Sequence, residues 1–450
     1  MRNLFGTDGI RGTANQGPLT PSTLVEIAQA AGKCYSKGKH RHTVVIGKDT
    51  RLSGYMIEAA LAAGFLSVGM DVIYLGPVPT PAVSFLTRSL RADLGVMISA
   101  SHNPAPDNGI KFFGPDGFKL SDMAEAAMES KMSDLGLGDL VAADHLAKAK
   151  RLDDAQGRYI EFVKNTFPRG MRLDGLKIVI DCAHGAAYKI APPVLWELGA
   201  DIIPMGVQPN GFNINLECGA THTAAMQAAV LEHGADLGIS LDGDADRVIL
   251  SDEEGHLIDG DALLALIATQ LQESGGLKTP QVVGTHMSNL ALERFLSSKG
   301  IELLRANVGD RYVMDMMRQK NLSLGGEQSG HIILSDFVNS GDGLITALHF
   351  LAIMVKTKKS ASKLGSPFAP MPQILENVRV SNPDQILARA EVKAMIERKS
   401  QEMKGRGRLL IRKSGTEPLI RIMVEGDHVA EVQALARELT EFFLKQSSVP

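Results

Sequence analysis

The stretch Leu94-Gly-Val-Met-Ile98-Ser99-Ala-Ser101-His102-Asn103-Pro104 starts as an unbroken apolar run and ends in two serines, a histidine, an asparagine and a proline. A run without polar alternation predicts a strand buried on both faces, as in a parallel sheet. Pro104 biases Asn103 away from helix, so the chain is expected to leave the strand in an extended loop. In open α/β sheets ligands sit beyond the carboxyl ends of the strands, which is where Ser101 falls. A serine after a strand means little alone; its company elsewhere in the chain decides.

One pattern recurs along the chain: apolar strand, polar turn, amphipathic helix, glycine, acidic residue, apolar strand. It runs from a strand at 44–49 through a helix ending at Gly69 to a strand opening at Asp71. It returns at 177–183, with Gly199 and Asp201, and again at 281–286, with Gly300 and Glu302. Such alternation predicts βαβ crossovers. The copies lie too far apart for a solenoid and imply separate domains. The predicted fold is therefore three related α/β domains (1–153, 154–256 and 257–370) with mixed, mostly parallel sheets, plus a smaller α+β domain (371–450). That is four, where 450 residues would suggest about three. The fourth reads as a strand at 376–380, a helix at 383–403, strands at 409–412 and 419–424, and a helix at 429–444. Residues 131–157 are rich in Gly and Asp and predict surface. Lys356 to Pro372, with three prolines, reads as the junction to the last domain.

Composition excludes several classes. Apolar content of 44% and charged content of 22% belong to a globular protein. A net charge of -4 gives no general pull toward nucleic acid or an acidic membrane, so any anion site must be local. No apolar run reaches the length of a membrane span. Three cysteines without a C-x-x-C spacing argue against disulfides and zinc and for a reducing, cytoplasmic setting.

Three further motifs carry chemistry. Asp242-Gly-Asp244-Ala-Asp246-Arg247 follows an apolar strand, and alternate carboxylates share one side if the backbone stays extended. Three like charges so close need a cation, and hard oxygen ligands suit Mg²⁺. The spacing also resembles a calcium EF-hand loop, but Arg247 stands where that loop requires glycine. Gly325-Gly-Glu327-Gln-Ser329-Gly330-His331 brackets a carboxylate and a hydroxyl with glycines, so that Glu327 and Ser329 could grip vicinal sugar hydroxyls. Arg412-Lys-Ser414-Gly415-Thr416-Glu-Pro418, with Arg421 beyond, reads as an oxyanion cradle of hydroxyls, an amide and guanidinium forks. It lacks the P-loop spacing. Near the amino end, Phe5-Gly-Thr-Asp-Gly-Ile-Arg11-Gly12 is too glycine-rich for a helix and predicts a mobile loop carrying Arg11. Asn108-Gly-Ile-Lys111 would return a lysine along a strand beside Ser101.

In their order the four motifs S-A-S-H-N-P, D-G-D-A-D-R, G-E-x-S-G-H and R-x-S-G-T-E-P resemble the α-D-phosphohexomutase superfamily over the whole chain. The amino-terminal F-G-T-D-G-I-R-G, Pro209-Asn-Gly-Phe-Asn-Ile-Asn215, Gly219-Ala-Thr-His222 and Val308-Gly-Asp310-Arg311 are similar to its branch acting on amino-sugar phosphates. Relatives acting on mannose and glucose phosphates carry a histidine loop where this chain has Gly309-Asp310-Arg311, which puts those sugars second. The resemblance implies interconversion of glucosamine 6-phosphate and glucosamine 1-phosphate, feeding UDP-N-acetylglucosamine synthesis. It implies a phosphoserine at Ser101 in preference to Ser99, and glucosamine 1,6-bisphosphate as intermediate and activator. One Mg²⁺ per active site would be held by Asp242, Asp244, Asp246 and Ser101, with Arg247 and Arg11 stabilising charge. The general acid/base is either Lys111 or His331. Glu327 and Ser329 would hold the sugar, while Arg412, Ser414, Gly415, Thr416 and Arg421 would hold the idle phosphate. The site would lie in a central cleft closed by the last domain, and a homodimer is compatible with the family. A metal-dependent sugar phosphatase is the remaining alternative, for which the second phosphate cradle would be redundant.

Overall fold

The computed structural model describes residues 4–6, 8–414 and 418–447. Two compact units emerge: Met1–Thr285 with Leu304–Pro367, and His286–Leu303 with Phe368–Pro450. The three-domain α/β part of the reading falls largely in the first, the α+β part in the second.

The first sheet of the larger unit contains β1 (Ile10–Thr13), β2 (Thr43–Lys48), β3 (Asp71–Pro77), β4 (Leu94–Ile98), β5 (Asp107–Phe113) and β6 (Ala149–Arg151), side by side as β1-β5-β4-β2-β3-β6. β4 is buried throughout, parallel to β2 and antiparallel to β5. Its apolar run is what a central strand requires, since helices cover both faces. Val44, Ile46, Leu94, Val96 and Ile98 pack with Ile57, Leu61 and Phe65 of the helix Ser53–Ser67. Each such side chain contributes about 1.5–3 kcal/mol on burial.

The second sheet contains β7 (Lys177–Asp181), β8 (Asp201–Met205), β9 (Leu237–Leu241), β10 (Val248–Asp252) and β11 (Leu257–Ile258), ordered β11-β10-β9-β7-β8. β9 is parallel to β7 but antiparallel to β10, so residues 242–247 form the tip of a hairpin. The third contains β12 (Gln281–Thr285), β13 (Glu302–Ala306), β14 (Leu324–Gly326) and β15 (Ile332–Leu334), ordered β13-β12-β14-β15, and residues 327–331 link the antiparallel pair β14–β15. These are mixed sheets with helices, as the sequence predicts.

In the smaller unit β16 (Gln373–Arg379), β17 (Gly407–Lys413) and β18 (Leu419–Gly426) form an antiparallel sheet ordered β16-β18-β17. Val378, Ile420, Ile422 and Val424 pack against Val392, Leu439 and Phe443 from its helices.

Three local expectations are corrected. Arg11 is not in a mobile loop but in β1, whose residues pair with β5 (Arg11 opposite Gly109). Glycine permits this: Gly9 has φ +76, and a Cβ there would sit 2.3 Å from the Ile110 carbonyl oxygen. The predicted helix at 383–403 is two helices, Pro383–Ala388 and Ala390–Met403. Arg389 between them is extended (φ -60, ψ 136), with its guanidinium bound to Gln446. Residues 131–157 are not all surface loop, because β6 adds to the sheet edge and Ala155 is buried. Among the described residues no helix is long and apolar enough to cross a membrane.

Candidate active site

Ser101 sits just past β4, 1% exposed, in the left-handed region at φ +52. That conformation is uncommon for a residue with a side chain, so something must hold it. Arg51 and Asn215 do. Arg51, itself 1% exposed, donates to the carbonyls of Ser101 (2.9 Å), Asn103 (2.9 Å) and Pro104 (2.6 Å). Asn215 donates to the carbonyls of Ser101 (2.9 Å) and Asn103 (3.0 Å). Buried Asp49 anchors Arg51 at 2.8 Å and accepts from the Ser99 hydroxyl at 2.6 Å. Ser99 Oγ in turn accepts the Ser101 amide at 2.9 Å. The two serines are thereby told apart: Ser99 is consumed in a buried relay, whereas Ser101 Oγ points at the acidic hairpin.

Ser99→Ala is expected to keep Ser101 in place but leave the Ser101 amide and one Asp49 oxygen short of a partner. The cost is about 1–3 kcal/mol of unfolding free energy, readable by denaturant titration. Destabilisation with full loss of phosphate incorporation would contradict the assignment of Ser99 as support.

Asp242, Asp244 and Asp246 are all nearly fully buried, with ligand oxygens within 4.8 Å of one another. The extended backbone expected here is not what brings them together. The chain turns, with Ala245 at φ +56 and its amide donating to the Asp242 carbonyl at 3.0 Å, and the turn converges the carboxylates. Gly243 is required by packing, because a Cβ there would lie 2.6 Å from the Ser101 carbonyl. Ser101 Oγ donates to Asp242 Oδ2 at 2.6 Å. Burial, then the charges of Asp246 and Asp244, push Asp242 well above the usual carboxylate range. One oxygen each of Asp244 and Asp246 is buried without a hydrogen bond among the described residues. Converging buried oxygens with unused lone pairs fit a hard divalent cation.

Cations surround this centre. Lys111 Nζ donates to Asp244 at 3.0 Å and Asp246 at 3.5 Å, and lies 3.3 Å from Asp8. Burial alone would lower Lys111, but Asp244, Asp8 and Asp246 outweigh it and hold the ammonium charged. Arg247 Nη1 lies 3.3 Å from His102 Nδ1, and its Nε lies 3.9 Å from Asp246 and makes no hydrogen bond among the described residues. Arg11 donates to Asp8 at 2.6 Å. His331 lies 3.6 Å from Asp246 on one nitrogen and 3.6 Å from Asp310 on the other, which also accepts the Gly341 amide at 3.1 Å. Glu327 is buried and accepts the Gly309 amide at 3.0 Å, while Ser329 is exposed. Arg311, in the first turn of the helix Asp310–Lys320, is tied to Asp122 at 2.6 Å and Glu125 at 3.1 Å.

The larger unit thus gathers Ser101, Lys111, Arg11, the three aspartates, Arg247, Glu327 and His331. Sequence reasoning missed Asp49, Arg51, Asn215 and Thr80, whose hydroxyl donates to Asp244 at 2.6 Å. It also missed Lys119, which bridges Asp8 (2.5 Å) and Asp310. A signal existed for Asp49 and Arg51, since they follow β2, the parallel neighbour of β4, and share its carboxyl edge.

In the smaller unit Arg412 stands directly opposite Arg421 across β17 and β18. Like charges in that register destabilise a sheet unless an anion lies between them. Burial, then Arg421, lowers Arg412, and Arg421 Nε is buried without a partner among the described residues. Ser414 is buried and its amide closes the hairpin onto the Leu419 carbonyl at 2.9 Å. Gly415 and Thr416 lie outside the described residues.

Comparison with known proteins agrees along the whole chain. Models of phosphoglucomutase/phosphomannomutase domains match in order: alpha/beta/alpha domain I at 2–137, II at 157–255, III at 259–370 and the C-terminal domain at 375–442. A phosphoglucosamine mutase of Paramagnetospirillum magneticum is 60% identical over 442 residues, 98% of each chain. A solved phosphoglucomutase/phosphomannomutase family protein from Burkholderia thailandensis superposes with a TM-score of 0.82 at 22% identity, covering 99% of this chain and 98% of its own. The Aspergillus fumigatus N-acetylphosphoglucosamine mutase, solved with GlcNAc-6P and magnesium, does so at 0.68 and 18% identity, covering 99% and 96%.

Proposed function

This chain belongs to the phosphoglucomutase/phosphomannomutase family, and we propose that within it the chain is an isomerase interconverting glucosamine 6-phosphate and glucosamine 1-phosphate. One observation carries the reading: a clamped, left-handed Ser101 whose hydroxyl donates at 2.6 Å to one of three converging buried aspartates.

The sugar's 1-hydroxyl attacks the phosphorus carried on Ser101; the new O1–P bond forms as the Oγ–P bond breaks, giving glucosamine 1,6-bisphosphate and free serine. After the sugar reorients, Ser101 Oγ attacks the 6-phosphate and glucosamine 1-phosphate leaves. Such transfer needs in-line positioning and charge stabilisation more than covalent help. Arg51 and Asn215 fix the serine. Arg247 and Lys111 supply fixed positive charge beside the transferring group. Against burial, Asp246, Asp310 and Glu327 raise His331 just as Asp244, Asp8 and Asp246 raise Lys111, but an imidazole starts from a far lower value than an ammonium, so we assign proton transfer at the sugar hydroxyl to His331. Glu327, with one oxygen committed to Gly309, presents the other to a sugar hydroxyl, with Ser329 beside it. Asp242, Asp244 and Asp246, with Ser101, would hold Mg²⁺, which when bound offsets phosphoryl charge.

Arg412, Ser414, Gly415, Thr416 and Arg421 are the proposed holders of the phosphate that is not reacting. Arg421→Ala removes charge-assisted hydrogen bonds worth about 1.5–3 kcal/mol each. KM is therefore expected to rise roughly 10- to 100-fold while Ser101 is still phosphorylated. Free bisphosphate should accumulate, as a weaker grip lets the intermediate escape. Unchanged KM and bisphosphate release would remove the hairpin from the mechanism.

The reading is tested by coupled assays on glucosamine, glucose and mannose 6-phosphates in parallel, with inorganic phosphate followed alongside. Preference for the amino sugar without phosphate release supports it. Preference for mannose or glucose would move the chain to the other branch of the family, and stoichiometric phosphate release would make it a phosphatase.

A further inference from the structure

At the other end of the strand that leads to Ser101 lies a second group of ligating side chains. His40 and His42, in the Lys39-His-Arg-His42 segment before β2, converge on Asp93, which precedes β4. His40 Nε2 is 2.7 Å and His42 Nδ1 is 3.3 Å from the same oxygen, Asp93 Oδ1. Together they offer two imidazole nitrogens and one carboxylate oxygen, all within 4.8 Å of one another.

This is more than a chance surface pairing. The other Asp93 oxygen accepts the Thr43 amide at 2.8 Å, and the Asp93 amide donates to the Thr43 carbonyl at 2.9 Å. The carboxylate is therefore locked onto the first rung between β2 and β4, with Oδ1 left facing the two rings. The side chains of Asp93 and His42 are only 15% and 12% exposed, against 58% for His40. Two ligands are thus preset by burial, and the third, more exposed, already reaches the shared oxygen at 2.7 Å. The neighbouring cation Arg41 is already taken up by Asp71, through contacts of 2.7 and 2.8 Å.

We propose that His40, His42 and Asp93 form a binding site for a borderline divalent transition metal, of the Zn²⁺ class, separate from the aspartate hairpin. Two imidazoles and one carboxylate suit Zn²⁺, Co²⁺ or Ni²⁺, with water completing the shell; they do not suit Mg²⁺, which prefers all-oxygen sites. Ligand bonds of about 2.0–2.2 Å need donor atoms roughly 3–4 Å apart, which a small rotation of His40 supplies. Asp93 precedes Ser101 by eight residues, about 25 Å of extended chain. The ion therefore takes no part in phosphoryl transfer. It ties the entry of β2 to the entry of β4 and stabilises the sheet that carries Ser101.

The test uses untagged full-length protein, stripped with EDTA and then dialysed into excess Mg²⁺ to fill the hairpin site. Zn²⁺ is titrated calorimetrically, and Co²⁺ is followed by its d–d absorption. One ion per chain is expected, accompanied by a rise in the thermal midpoint. His40→Ala, at an exposed position that does not threaten folding, and the double variant with His42→Ala should each weaken Zn²⁺ at least about tenfold. Their mutase rate in Mg²⁺ should be unchanged. Asp242→Asn should retain the Zn²⁺ site. Wild-type Zn²⁺ affinity in His40→Ala, no Zn²⁺ uptake in the presence of Mg²⁺, or loss of uptake in Asp242→Asn would each overturn the proposal.

Discussion

Replacing Ser101 by alanine is expected to abolish turnover and the covalent phosphate together. The rate should fall by at least about 10³-fold, because Ser101 is the hydroxyl assigned to carry the phosphoryl group. Ser101 Oγ meets Asp242 of the acidic hairpin at 2.6 Å from the loop that Arg51 and Asn215 clamp, whereas the Thr80 hydroxyl meets Asp244. The nearest rival, Ser99, spends its hydrogen on Asp49 and its lone pair on the Ser101 amide. Alanine keeps the backbone contacts of Arg51 and Asn215, which reach the carbonyl and not the side chain. The variant should therefore fold, and its inactivity should report on chemistry. Intact mass gives the second reading: wild type carries a fraction about 80 Da heavier, the mass of a phosphoryl group on a hydroxyl, and Ser101→Ala carries none. Residual turnover near the wild-type rate, or a phosphate that survives the substitution, would show that the wrong serine has been chosen.

What could be read from the sequence was what lies contiguously within it. β4 announced itself by five apolar residues and a polar stop, and the βαβ copies by their recurring glycine and acid. The loops at Ser101, Asp242 and Glu327 each carry their chemistry within a few residues. What could not be read is what the fold brings in from a distance. Arg51 precedes Ser101 by 50 positions, and Asn215 reaches it across 114. Nothing in the spacing of Asp49-Thr-Arg51 marks it as the clamp of another loop. Lys119 was silent for the same reason, since its partners Asp8 and Asp310 lie 111 and 191 positions away in the chain. Arg11 was misjudged because glycine-rich stretches read as mobile. Here glycine is what lets β1 lie close against β5. The aspartates converge as expected but by a turn at Ala245 where an extended chain was expected, a detail that residue identity does not determine.

The aspartate hairpin supports the second large effect. Asp246 is held well below the usual carboxylate range despite its burial, chiefly by Lys111 and His331. Asp242 is pushed the other way, by burial and then by Asp246 and Asp244, which outweigh Arg247 and the Ser101 hydroxyl. A carboxyl raised in the folded state destabilises the fold at pH above its unfolded value, and the penalty is relieved as pH falls through the raised value. Without a bound cation the hairpin is therefore a local liability at neutral pH, of the kind that functional sites retain. Chelation with EDTA is expected to stop turnover. Mg²⁺ should restore it better than Ca²⁺, whose looser coordination neutralises the transferring group less tightly. Asp242→Asn should be inactive by at least about 10³-fold at any Mg²⁺ concentration, since it loses an anionic ligand and leaves one neutral oxygen for two donors, the Ser101 hydroxyl and the Arg247 amide. In EDTA at neutral pH the same variant should nonetheless melt higher than wild type, by on the order of 1–3 °C in its first transition. That advantage should shrink as the pH is lowered and Asp242 takes up its proton in the wild type. Full activity after thorough chelation would remove the metal from the mechanism. An Asp242→Asn protein that melts lower than wild type in EDTA would show that the three carboxylates do not repel one another as their burial and spacing require.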